Sequence, residues 1–192
     1  MGETASATRR LRRPVVLIGL MGAGKTSVGQ RLAETLRVPF LDSDAEIERA
    51  AGMTIAEIFE QFGEAHFRDG ERRVIRRLLE ERPMVLATGG GAWMAAETRE
   101  AIRDRAVSVW LKAGLDVLVA RTAGRTHRPI LNRGNPREIL ADLIAQRYPV
   151  YAEADLHVDS LLDQSHERMA GRIIAALEAH GRASGEPVLE DA

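Results

Sequence analysis

The residues best placed to do chemistry are Gly19-Leu20-Met21-Gly22-Ala23-Gly24-Lys25-Thr26, which read G-x-x-x-x-G-K-T. This is the spacing of a phosphate-binding loop, the P-loop. Its glycines let the backbone curl so that successive N–H groups point at an anion. Lys25 can reach the outer phosphates, and the Thr26 hydroxyl can hold a magnesium ion. Two carboxylates, Asp42 and Asp44, close the apolar run Val38-Pro39-Phe40-Leu41. Carboxylates at such a strand end sit where open α/β sheets bind ligands. A helix cap, partly served by Asp44, explains one carboxylate and not two, so the pair is read as functional.

A third apolar run, Met84-Val85-Leu86-Ala87, ends in Thr88-Gly89-Gly90-Gly91. Many P-loop proteins place a metal-side aspartate there. Here that duty falls to Asp42, and the glycines imply either close backbone approach to a ligand or a plain flexible turn. Arg68 and Glu71 are one helical turn apart, as a surface ion pair or as part of a site. Arg121, Arg125, Arg128, Arg133 and Arg137 crowd in and around residues 123–136, where Gly124, Pro129, Gly134 and Pro136 break any apolar period. Such a loop suits an arginine-rich lid over transferring phosphate. A solvated loop is the plain alternative.

These groups need a frame. Val15-Val16-Leu17-Ile18 reads as a buried strand leading into the P-loop, and Val28, Leu32, Ala33 and Leu36 recur at helical spacing behind it. Further strands are expected at Val38–Leu41, Met84–Ala87, Val107–Leu111 and Leu156–Val158. Thr54 and Glu57 make a capping box, with Met53 and Ile58 as its staple, for a helix running towards Gly63. A second, charged helix follows over about 64–81, with Phe67, Val74, Leu78 and Leu79 as its buried stripe. Helices are also expected over about 116–122, over 137–153 with Pro149 interrupting, and over 165–181 between Ser165 and Gly181. Strands alternating with helices predict an α/β fold with a parallel sheet covered on both faces.

The totals exclude several classes. The chain has 192 residues and a net charge of −1, so one domain is expected and nothing global argues for nucleic acid or membrane. With no cysteine there are no disulfides and no thiolate chemistry, which fits a reducing cytoplasm. No run approaches a membrane span. Only Lys25 and Lys112 among 27 basic residues are lysine, and neither lies in the N-K-x-D motif of a GTPase. No histidine clusters with carboxylates at ligand spacing. Residues 1–13, ending in Arg9-Arg10-Leu11-Arg12-Arg13, and residues 182–192 are expected as solvated, disordered tails around a domain at 14–181.

The ordered set G-L-M-G-A-G-K-T, L-D-S-D, F-R-D-G-E, G-G-G-A, R-P-I-L and R-Y-P-V-Y, spread from about Val15 to Ile174, resembles the shikimate kinase family. That resemblance implies a P-loop kinase with a five-stranded parallel sheet in the order 2-3-1-4-5. It has an acceptor-binding region at about 42–80 and a lid at about 123–136. It also implies a transferase acting in aromatic amino-acid biosynthesis, moving the ATP γ-phosphoryl group to the 3-hydroxyl of shikimate. Gly22, Ala23, Gly24, Lys25, Thr26 and Ser27 would hold ATP, Thr26 would bind Mg2+, and Asp42 would act on the metal through water. Asp44, Arg68, Gly90 and Arg147 would bind shikimate, with the two arginines on its carboxylate. Lys25, Asp44 and Arg128 would be catalytic, Arg128 on the phosphates, and Arg121 would pack on adenine. Near Gln164–His166 the family's adenine-side pattern is missing, and those contacts stay unassigned. A cytoplasmic monomer without nucleic-acid or membrane partners is expected. A related small-molecule kinase such as gluconate kinase is the alternative, since gluconate also presents a carboxylate to Arg68.

Overall fold

The computed structural model describes residues 9–123 and 134–191. Five strands form one parallel sheet: β2 (Val15–Ile18), β3 (Phe40–Asp42), β4 (Val85–Ala87), β5 (Val107–Lys112) and β6 (Leu156–Asp159). Their order is β3-β4-β2-β5-β6. Counted along the sheet's own strands this is 2-3-1-4-5, as expected. Each pair is parallel, with Val15 opposite both Val85 and Val107. Every residue of β2 is buried although successive side chains point to opposite faces, so both faces are covered.

The cover comes from α1 (Lys25–Leu36), α2 (Ser43–Ala51), α3 (Ile55–Glu81), α4 (Ala96–Arg105), α5 (Leu115–Thr122), α6 (Pro136–Tyr151) and α7 (His166–Ser184). Helix α1 packs on α7, α3 on α4, and α5 on α6. The capping box of Thr54 and Glu57 forms, and Met53 and Ile58 share a small core with Ile47 and Phe67. Gly63 breaks α3 with φ 80° and ψ 174°, the expected boundary between two helices. On the second half, Phe67, Ile75, Leu78 and Leu79 are buried, with Val74 only partly so.

Several local expectations are corrected. Asp42, not Asp44, caps α2, its carboxylate accepting the Asp44 N–H at 3.0 Å. Pro149 does not interrupt α6, which runs on through it to Tyr151 although the proline supplies no N–H to the helix. Gly181 does not stop α7; it is buried within the helix, and Gly185 (φ 72°) ends it. A Cβ at Gly181 would lie 3.0 Å from Val188 N, so the returning chain needs that glycine. Helix α4 was not legible, its mean character being polar.

The largest difference is at the ends. Residues expected as tails pair instead as an antiparallel ribbon, β1 (Arg9–Leu11) with β7 (Leu189–Asp191). Leu11 is 2% exposed and joins the main core together with Val188 and Leu189. Ion pairs run along the ribbon, Arg9 to Asp191 at 2.6 Å and to Glu178 at 3.1 Å, and Arg13 to Glu186 at 3.3 Å. These pairs are largely exposed, and such pairs contribute under about 1 kcal/mol each. Burial of Leu11 contributes more. Leu11→Ala is therefore expected to lower the free energy of urea unfolding by about 2–3 kcal/mol. The loss should persist in high salt, which screens the ion pairs and not the burial.

Candidate active site

The sheet order reverses around β2, whose C-terminal end opens between β4 and β5. Ligands of open α/β sheets bind at such a switch point. Three segments meet there: residues 19–24 after β2, Asp42–Asp44 where β3 passes directly into the next helix, and Thr88–Gly91 after β4. They line a cleft of about 460 Å³.

One wall is the P-loop. Gly22 and Gly24 take φ of 83° and 96°, which L side chains rarely adopt, and Gly24 leads directly into α1. Lys25 Nζ donates to the carbonyls of Gly19 at 2.7 Å and Leu20 at 3.1 Å, which folds it over its own loop. Gly22, Gly24, Lys25, Thr26 and Ser27 face the cleft, while the Ala23 side chain lies in the core behind them. Thr26 sits in the first turn of α1, whose N-terminal end carries positive potential.

The opposite wall explains the glycine run. A Cβ at Gly89 would stand 2.7 Å from Asp44 Oδ1 and 3.3 Å from Glu71 Oε1. At Gly90 it would meet Arg147 Nη1 at 3.1 Å, and at Gly91 Arg68 Nη2 at 2.5 Å. Gly89 thus leaves room for two carboxylates, and Gly90 and Gly91 for one guanidinium each. The run is a close-approach surface and not a flexible turn. The Gly89 N–H donates to Ser43 Oγ at 3.1 Å, and the buried Tyr151 hydroxyl donates to the Gly90 carbonyl.

Charge is concentrated here. Arg68 donates to Glu71 at 2.7 Å, and the Glu71 side chain is only 2% exposed. The wet-surface reading of this pair is therefore excluded. Glu71 Oε1 has no hydrogen-bond partner among the described residues. Burial pushes the Glu71 carboxyl up, with Arg68 opposing. Asp44 is pushed up to about 6 by burial, then by the charges of Asp42 and Glu71. Burial also raises the Tyr151 phenol, which stays a donor.

Arg121 lines the cleft at the P-loop's outer side, and His166 joins it there. Its guanidinium donates to Gly22 O at 3.3 Å, Ser160 Oγ at 2.8 Å and Leu161 O at 2.5 Å. Of the lid arginines, Arg125, Arg128 and Arg133 lie outside the described residues, and Arg137 pairs with Asp116 on the surface at 2.8 Å. Sequence reasoning missed Tyr151, although it stands one helical turn after Arg147 in R-Y-P-V-Y, and it missed Ser43 and Ser160.

The donor set suits a magnesium ion. Thr26 and Asp42 bring only oxygen ligands to the same cleft. No group of three or more His, Cys, Asp or Glu among the described residues forms a metal cage. An ion held mostly by phosphates and water needs no such cage. No helix among the described residues is long and apolar enough to cross a membrane.

A family model described as shikimate kinase matches residues 21–178. A shikimate kinase of Rhodopseudomonas palustris is 57% identical over 165 residues, covering 86% of this chain and 81% of the relative. One from Paramagnetospirillum magneticum is 54% identical over 168 residues, covering 88% and 86%. Among solved structures, a shikimate kinase from Acinetobacter baumannii in complex with shikimate superposes with a TM-score of 0.78 at 42% identity, covering 85% of this chain and 91% of that one.

Proposed function

Because the chain belongs to the shikimate kinase family of ATP-dependent phosphotransferases, we propose that this cleft moves the ATP γ-phosphoryl group to the shikimate 3-hydroxyl. The observation that carries the proposal is the convergence of Asp44, Arg68 and Arg147 on Gly89–Gly91, facing the P-loop across one cleft.

The chemistry follows from the two walls. Phosphoryl transfer needs positioning and charge neutralisation more than covalent help from protein. Backbone N–H groups of residues 22–27 and the α1 dipole receive the nucleotide phosphates. Lys25 leaves its loop carbonyls for the outer phosphates, exchanging neutral acceptors for charged ones. Thr26, and Asp42 through water, would hold a magnesium ion, which would supply further neutralisation of the phosphate charge. Arg68 and Arg147 hold the acceptor's carboxylate, and the Gly90 backbone lies beside its ring. This fixes the hydroxyl near Asp44, and such orientation is worth several powers of ten in rate. Asp44 accepts the hydroxyl proton, and its raised pKa makes it a better base than an ordinary aspartate. Arg128 is assigned to the transferring phosphate and Arg121 to adenine.

The protein is proposed to work as a monomer. A cytoplasmic site of action, where ATP is supplied, belongs to the same proposal. The test is a coupled assay for ADP release with ATP and Mg2+. Release is expected with shikimate and only at background with gluconate or with no acceptor. Turnover of gluconate in place of shikimate would overturn the proposal.

A further inference from the structure

The P-loop has a support that the reaction scheme does not use. Ser160 follows β6 and is 2% exposed. Its Oγ donates to the Ala23 carbonyl at 2.9 Å and accepts from Arg121 Nη1 at 2.8 Å. Its own N–H donates to Lys112 O at 2.7 Å, which fixes it to the end of β5. Arg121 completes the bridge through Gly22 O and Leu161 O. One hydroxyl thus joins three segments: the P-loop, the end of α5, and the loop leading to α7.

We infer that Ser160 is a positioning residue for nucleotide binding, aiming the P-loop's amides from behind. The argument is geometric. In a planar trans peptide the C=O and the next N–H point in opposite directions. Pinning the Ala23 carbonyl to Ser160 therefore turns the Gly24 N–H away from Ser160, towards the phosphates. Gly24 is held at φ 96°, where glycine has no steric preference of its own, so an external bond must choose the orientation. The same hydroxyl uses one in-plane N–H of Arg121, and Leu161 uses another. With its edge occupied, the guanidinium keeps a fixed plane, and its face is the surface left for a flat base. Ser160 touches neither the phosphates nor the acceptor wall, because the acceptor groups Arg68 and Arg147 gather at Gly90 and Gly91 instead.

This inference rests on the ATP-dependent reading, and its test separates the two. Wild-type turnover of shikimate with ATP is the control for that reading. Against it, Ser160→Ala is expected to raise KM for ATP by about tenfold, the usual weight of one lost buried hydrogen bond. KM for shikimate should stay within about twofold on the same scale. Inhibition by tripolyphosphate, which contains the phosphates without the base, should weaken by a similar factor. Ser160→Thr keeps the hydroxyl and should restore KM for ATP. Ser160→Cys keeps the shape with a weak donor and should fall between, so it decides the matter if the alanine variant folds poorly. An unchanged KM for ATP, or equal rises for both substrates, would overturn the inference. Unaltered tripolyphosphate inhibition beside a raised KM for ATP would overturn the amide-aiming role.

Discussion

Asp44→Asn is expected to give an enzyme that is nearly inactive and more stable than the wild type. The carboxyl is pushed up to about 6 because folding buries it beside Asp42 and Glu71. The folded state therefore holds this proton to higher pH than the unfolded chain does. The two states do not differ below the unfolded pKa. As pH rises through about 6, the folded state must carry a charge it solvates poorly, and stability falls. A rise of about two units corresponds to roughly 3 kcal/mol at pH 8. Asparagine removes that deficit, so the unliganded variant should melt about 6–12 °C higher at pH 8. The difference should vanish once the pH falls below the unfolded pKa, where the carboxyl is protonated in both states. Turnover moves the other way, by about 100-fold or more if Asp44 takes the hydroxyl proton. The wild-type kcat/KM should rise with pH through about 6, and that limb should be missing from the variant. An Asp44→Asn enzyme with near-normal turnover would reject the base role.

The second large effect belongs to the guanidinium pair. Arg147→Ala should raise KM for shikimate by about 30-fold, as expected for losing charge-assisted hydrogen bonds of about 2 kcal/mol. Arg68→Ala should do the same and also lower the melting temperature, because Arg68 is the counter-charge of the buried Glu71. Removing one partner of a buried pair leaves the other uncompensated. Adding Glu71→Gln should recover stability in the Arg68→Ala background without recovering KM. The Arg68/Arg147 double variant should lose about 10³-fold in kcat/KM for shikimate, the product of the two single losses. Steady-state kinetics and thermal melts separate these effects. Undiminished capture of shikimate by the double variant would remove the basis of the acceptor site.

What the sequence showed depended on how local the physics was. The P-loop was legible because glycine spacing encodes its backbone directly, and Gly22 and Gly24 do take positive φ. The Thr54 and Glu57 box and the Ser165 cap were legible for the same reason, since each is satisfied within three residues. The central strands β2, β4 and β5 were found to within a residue or two because their apolar runs are buried on both faces, and the partly buried edge strands β3 and β6 because short apolar runs still mark them. Burial of Glu71 was not legible: its helix face reads as charged, and only the approach of Gly89 from another segment, beside Arg68 one turn back on the same helix, encloses it. Gly181 looked like a helix stop because nothing nearby announces that Val188 returns across it. Arg121 was read for its flat face, whereas its edge bonds depend on Ser160, far along the chain.

The ribbon at the chain's ends also bears on how the molecule is made. Arg9 and Asp191 are neighbours in space and 182 positions apart in sequence. Leu11 is made long before Leu189, the residue it pairs with. Until that later segment emerges, β1 has no partner and the core beside Leu11 stays open.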